Sequence, residues 1–133
     1  MKTYTVIRST SGQVGCVVSD PTGPLAGARL LPHCAYHSQT GFETGYSGSG
    51  PADLALSILA DHFHATPEQI EHVARHGFLG KSHGAEKALL FHQSVKFRFI
   101  ACAELKPGES YVVTAGDIDA YIEEITRRDG VPA

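Results

Sequence analysis

The residues best suited to chemistry lie in one stretch, Gly41-Phe42-Glu43-Thr44-Gly45-Tyr46-Ser47-Gly48-Ser49-Gly50-Pro51. Glycines let the main chain approach a ligand closely, and the free amides at a helix start form an anion site. Ser47 and Ser49 add hydroxyl donors, and Phe42 or Tyr46 can stack on a base. The Gly-Lys-Ser/Thr ending of a P-loop is missing. Nor does a parallel-sheet pattern surround the run, as a dinucleotide fingerprint requires. On these residues alone two readings stay open: a ligand-binding loop, and a tightly wound connection whose glycines only solve backbone geometry.

Eight histidines raise the question of a metal. Glu68, His72 and His76 fall at four-residue steps on one helical face. The order His-Val-Ala-Arg-His lacks the catalytic glutamate of a zinc protease, and three ligands in a row converge poorly on a tetrahedral ion, so a solvated face is expected. His33, Cys34 and His37 cluster without a Cys-x-x-Cys pair to complete a site. His62 and His64 read as surface or helix-end residues. Ser49 does not sit in Gly-x-Ser-x-Gly, Cys34 and Cys102 show no activating neighbours, and Glu123-Glu124 is solvated charge. No catalytic residue, metal or cofactor is assigned.

The elements that must position the loop follow from pattern. Thr3 to Arg8 and Gln13 to Ser19, with a Ser11-Gly12 turn, predict an antiparallel hairpin. Asp20 to Pro24 breaks the second strand, and Ala28 to Leu31 is a short third one. His33 to Gly50 is irregular. Pro51 suits the first position of a helix capped by Ser49 or Gly50, with Asp53 as negative charge in the first turn. Leu54, Ala55, Leu56, Ile58 and Leu59 cover most of its circumference, which marks a core helix. Thr66-Pro67-Glu68-Gln69 is a capping box opening a helix that ends near Gly77, and a glycine-punctuated loop follows to Gly84. Residues 86–103 carry both strand-like alternation, Val95-Lys96-Phe97-Arg98-Phe99, and helical spacing; their length favours a helix. Tyr111 to Val113 is a strand, and Thr114 with Asp117 caps a last helix with Ile118, Tyr121, Ile122 and Ile125 on one face. The predicted class is α+β: a small antiparallel sheet packed against three to four helices.

The chain has 133 residues, 42% of them hydrophobic and 19% charged, enough for one domain with a real core. A formal charge of −3 argues against duplex DNA and anionic membranes as partners. No apolar run fits a signal peptide or a membrane span. Cys16, Cys34 and Cys102, an odd count inside apolar sequence, read as buried free thiols in a reducing, cytoplasmic compartment.

The segment from His37 to Leu59, with His92-Gln93-Ser94-Val95-Lys96 and Val113 to Ile122, resembles a domain family of unknown function from phages, prophages and actinobacteria. Thr40 to Leu59 follows its Thr-Gly-Phe-x-x-Gly-Tyr-x-Gly-Ser-Gly-Pro-Ala-x-Leu-Ala-x-x-Ile-Leu pattern. Thr44 departs from it where an aromatic is usual, Ser47 where glycine is common, and residues 65–84 look like an insertion. More distantly the plan looks like the anti-Thoeris sponges that sequester cyclic ADP-ribose signals. The resemblance implies a non-enzymatic sponge for a cyclic nucleotide or ADP-ribose-type immune signal. Its phosphates would sit at the amides of Gly48, Ser49 and Gly50, with Gly45 and Ser47 also in the binding loop; its base would stack on Phe42 or Tyr46, and Gln93 with Lys96 or Arg98 would supply charge and hydrogen bonds. The alternative is a protein-protein inhibitor of a host defence enzyme, of anti-CRISPR type, using residues 65–84 as its contact surface. A third is a phosphoester-cleaving enzyme using His72 or His92. Apolar helices suggest a homodimer or higher homo-oligomer.

Overall fold

Alternating buried and exposed residues build the sheet. In the computed structural model, which describes residues 2–22, 27–37, 41–77 and 84–129, strands β1 (Thr3–Arg8), β2 (Val14–Asp20), β3 (Gly27–Leu30) and β4 (Ser110–Thr114) form one sheet. The order is β3-β2-β1-β4, antiparallel throughout. Gly12, at φ +95°, makes the hairpin turn that the Ser11-Gly12 signal predicts. Tyr4, Val6, Cys16, Val18 and Val113 are buried on one face of the sheet and join a single core with the helices.

The helices are α1 (Ser49–His62), α2 (Pro67–His76), α3 (Gly84–Val95) and α4 (Ala115–Asp129). Every residue from Gly50 to Ala60 is buried, so α1 is the core helix that its all-round apolar sequence predicts. Leu54, Leu56, Ile58 and Leu59 each stabilise the fold by about 1.5–3 kcal/mol by leaving water. Gly84, at the start of α3, lies against the Phe63 carbonyl at the end of α1 with no room for a Cβ. The two helices therefore run antiparallel, and the end of α3 reaches the start of α1.

Both capping boxes form. Thr66 and Gln69 exchange bonds at the start of α2, and Gly77 closes that helix at φ +79°. Thr114 Oγ1 accepts from the Asp117 amide at 3.0 Å, while Asp117 Oδ2 accepts from the Thr114 amide. Ile118, Ile122 and Ile125 are buried on one face of α4, with Tyr121 beside them.

Several expectations need correction. Helix α1 starts at Ser49, two residues before Pro51; Gly48 is its cap, with no side-chain bond. Asp53 is not a first-turn charge facing the dipole. It is fully buried and bonded to the preceding loop. Residues 86–103 are helical, but α3 passes into a π turn, Lys96–Ile100, closed by the Ala101 amide donating to the Lys96 carbonyl. Cys16 and Cys34 are buried, whereas Cys102 is exposed, its thiol directed at the Arg98 carbonyl. The breaker residues at 23–24 and most of the loop expected from 77 to 84 lie outside the described residues. Among those described, no helix is long and apolar enough to cross a membrane.

Candidate functional site

Threonine 44 anchors the glycine loop. Its hydroxyl lies 2.9 Å from the Ile100 carbonyl, 2.7 Å from the Ala103 carbonyl and 2.9 Å from the Tyr111 hydroxyl. A hydroxyl has one proton, so the two carbonyls share it and Tyr111 donates to Thr44. Burial pushes the Tyr111 phenol up to about 12, which keeps it a donor at ordinary pH. The π turn helps to provide these acceptors: the Ile100 carbonyl also takes the Gly45 amide at 3.0 Å. Gly45 has φ +88°, and a Cβ there would stand 2.9 Å from the Cα of Glu104, so both conformation and space require glycine. Glu43 fixes the other side of the loop. Its Oε1 accepts from Arg8 Nη2 at 2.7 Å, and that bond holds the Glu43 carboxyl below the usual carboxylate range.

Beyond this anchor the chain enters α1 through Gly48, Ser49 and Gly50. The Tyr46 ring lies against Gly48 and is 51% exposed, while Glu43 packs on Gly50. The first amides of a helix have no partner within it. Among the described residues no acceptor meets the amides of Gly48, Ser49 or Gly50.

Lysine 96 completes this end. Equal distances along the antiparallel helices, measured from the Gly84–Phe63 contact, bring it level with the first turn of α1. Only 6% of it is exposed. No carboxylate pairs with it among the described residues; its ammonium lies 4.3 Å from the centre of the Phe97 ring. The ring beneath that ammonium is itself exposed, so the charge is within reach of an anionic ligand.

A histidine pair flanks the lysine. His92 lies one helical turn before Lys96, and its Nε2 is 2.9 Å from Nε2 of His37. The tautomers follow from the neighbours. His92 Nδ1 faces the Leu89 carbonyl at 2.7 Å and must carry a proton, so Nε2 of a neutral His92 accepts and His37 donates. Burial lowers the His92 pKa, the Leu89 bond opposes this, and the charges of His37 and Lys96 lower it further. Tyr36 packs edge-on against both rings. Asp53 secures this segment from α1: Oδ1 accepts from the His37 amide at 2.7 Å, and Oδ2 lies 3.0 Å from His33 Nε2. Next to it opens a groove of about 510 Å³ between residues 33–36 and α2, with Ile70 and Cys34 in its lining and Tyr36 and Arg75 on its sides. Burial raises the Cys34 thiol to about 11, which leaves it protonated and a poor nucleophile.

The structure brings only some of the predicted binding residues together. Tyr46, Gly48, Ser49 and Gly50 adjoin, Gly45 is their anchor, and Ser47 is exposed beside them. Phe42 is turned inward: it bridges to Val14 and meets His33 edge-on at 4.8 Å. Gln93 is exposed on α3 next to His92. Arg98 lies over Phe99 and Tyr121, on the α4 side. Glu68, His72 and His76 are exposed, the two rings 4.6 Å apart, and no set of three His, Cys, Asp or Glu side chains among the described residues is arranged for a metal. His62, expected at the surface or a helix end, is the last residue of α1; 10% of its side chain is exposed and it bonds Asp119 at 2.7 Å. Sequence reasoning missed the His37–His92 contact. Their separation of 55 positions left no local signal for it.

The profile of a family of unknown function, DUF6166, matches residues 4–81, which takes in the first three strands, the glycine loop, α1 and α2. The stretches at 92–96 and 113–122 lie outside the match. No curated protein and no solved structure matches the chain.

Proposed function

The chain belongs to the family of unknown function DUF6166, whose name assigns no activity, and we propose that it is a non-enzymatic binding protein for a small anionic nucleotide. The observation that carries this reading is that, among the described residues, the first amides of α1 meet no acceptor and Lys96, at the end of α3 that reaches the start of α1, has no carboxylate partner. A phosphate would accept from Gly48, Ser49 and Gly50 and neutralise Lys96. Tyr46, half exposed over Gly48, would move aside and stack on the base, with Ser47, Ser49 and Gln93 supplying further hydrogen bonds. Phe42 and Arg98, engaged elsewhere, have no part in it. Sequestration of a cyclic nucleotide or ADP-ribose-type immune signal is the biological role that the resemblance noted above suggests for such a binder.

Calorimetry with cyclic nucleotides and ADP-ribose derivatives tests this. The wild-type chain should bind one of them, and Lys96→Met should weaken it by about ten- to a hundredfold, the worth of a charge-assisted hydrogen bond. No heat with any of them sinks the proposal.

The groove beside α2 favours a second reading, in which the chain inhibits a host defence protein by holding a peptide segment between Tyr36 and α2. A stoichiometric protein partner retained by Lys96→Met and lost on Ile70→Glu separates the two.

A further inference from the structure

An antiparallel sheet with one packed and one wet face ordinarily carries its charges on the wet side. Here the register does the reverse. The charged residues of the four strands are Arg8, Asp20 and Arg29, and all three share the parity of Tyr4, Val6, Cys16 and Val18 on the packed side. Arg8 reaches Glu43 and Arg29 reaches Asp61, both in the layer beneath. Among the described residues of the strands, the opposite face carries no charge. Its central row is Leu30–Val17–Thr5–Val112, given directly by the strand register, with Ile7 beside it and only serine, threonine, glycine and alanine elsewhere. Leu30 is 77% and Val112 54% exposed. No described residue of this face is buried.

We propose that this face is the contact between two copies of the chain, packed sheet on sheet about a two-fold axis. A two-fold contact sets a surface against itself, so a charge near its axis meets its own copy. The chain has a net charge of −3, and on the open face two copies meet without like charges opposed. Short and β-branched side chains keep the face flat, as sheets packed about 10 Å apart require. Four strands about 4.8 Å apart and roughly 17 Å long give a paired face of about 650 Å² in total, the size of a weak, transient contact. The dimer is accordingly concentration-dependent. The contact is independent of the glycine loop, which lies in the helical layer.

Sedimentation velocity up to hundreds of micromolar tests the proposal. The wild-type chain should pass from monomer to a species of twice its mass. Val17→Glu should raise the dissociation constant by at least about tenfold through like-charge opposition, with circular dichroism and melting unchanged. Phe97→Glu, on an exposed apolar residue of the helical layer, should dimerise like wild type. If Val17→Glu fails to fold, Val112→Glu at the exposed edge strand takes its place. A wild-type chain that stays monomeric overturns the inference and leaves the face to a different protein. So does a dimer that survives glutamate at 17 or 112, or one that Phe97→Glu dissolves.

Discussion

The Nε2 atoms of His37 and His92 stand 2.9 Å apart, and the Leu89 carbonyl at the far side of His92 dictates which of them carries the proton. A second proton on His92 would set two N–H groups against each other. Its folded-state pKa lies below the ordinary 6.5. Between those two values the unfolded chain binds the proton and the folded chain does not, so stability rises with pH there. The contribution is complete above about pH 6.5 and is lost as pH falls through the lower folded value. Melting temperatures from mildly acidic to neutral pH should show this decline for wild type and a flatter profile for His92→Gln. Equal slopes for the two would remove His92 as the cause.

The Thr44 hydroxyl is predicted to be worth more than an ordinary loop contact. Thr44→Val keeps the shape but leaves the Tyr111 hydroxyl and the Ala103 carbonyl without this partner. The expected loss is about 1–3 kcal/mol, the cost of unmet buried polar groups. Urea denaturation should report it as a lower midpoint at constant slope. A midpoint shared with wild type would mean that the loop is not anchored there.

Gly48 and Gly50 should respond differently to alanine. At Gly48 the new Cβ meets the Tyr46 ring, the far end of an exposed side chain that can swing away. At Gly50 it meets Cβ of Glu43 at 2.8 Å and the Glu43 amide nitrogen at 3.2 Å, so backbone must shift. Gly50→Ala should cost about 1–3 kcal/mol, as overpacking does, whereas Gly48→Ala should change Tyr46 fluorescence with little effect on melting. The opposite ranking would contradict the packing described.

Asp61 should govern the response to stronger acid. Burial pushes its carboxyl up, but hydrogen bonds from Arg29, Tyr4 and Lys2 together outweigh this and hold it below the ordinary 3.8. Its contribution is present above that value and lost as pH falls through the lower folded one. Asp61→Asn should therefore lower stability at neutral pH and remove part of the acid limb below about pH 4. An acid titration followed by circular dichroism checks both.

Local signals made the hairpin, α1, α2, the two capping boxes and the α4 face legible, because turn residues, caps and periodicity act within a few residues. The π turn was not. Hydrogen bonds five residues apart spread Lys96, Phe97 and Arg98 around the helix at a spacing that fits neither ordinary period, and hence the same segment matches strand and helix. Asp53 was misplaced because its partners, His33 and the His37 amide, come from the loop 16 to 20 residues earlier and draw it inward against the first-turn preference. His37 and His92 are 55 positions apart, beyond anything periodicity reports. Cys102 lies just past the π turn and is exposed, while Leu105 after it packs against the core.

The inward direction of the strand charges also decides how the molecule answers to ionic strength. Asp61, with both of its cations largely shielded, is poorly reached by counter-ions, so added salt loosens the helical layer little. Excluded anions such as sulfate strengthen apolar burial and find no charge to solvate on the other side. Salting-out of this chain therefore begins at its sheet.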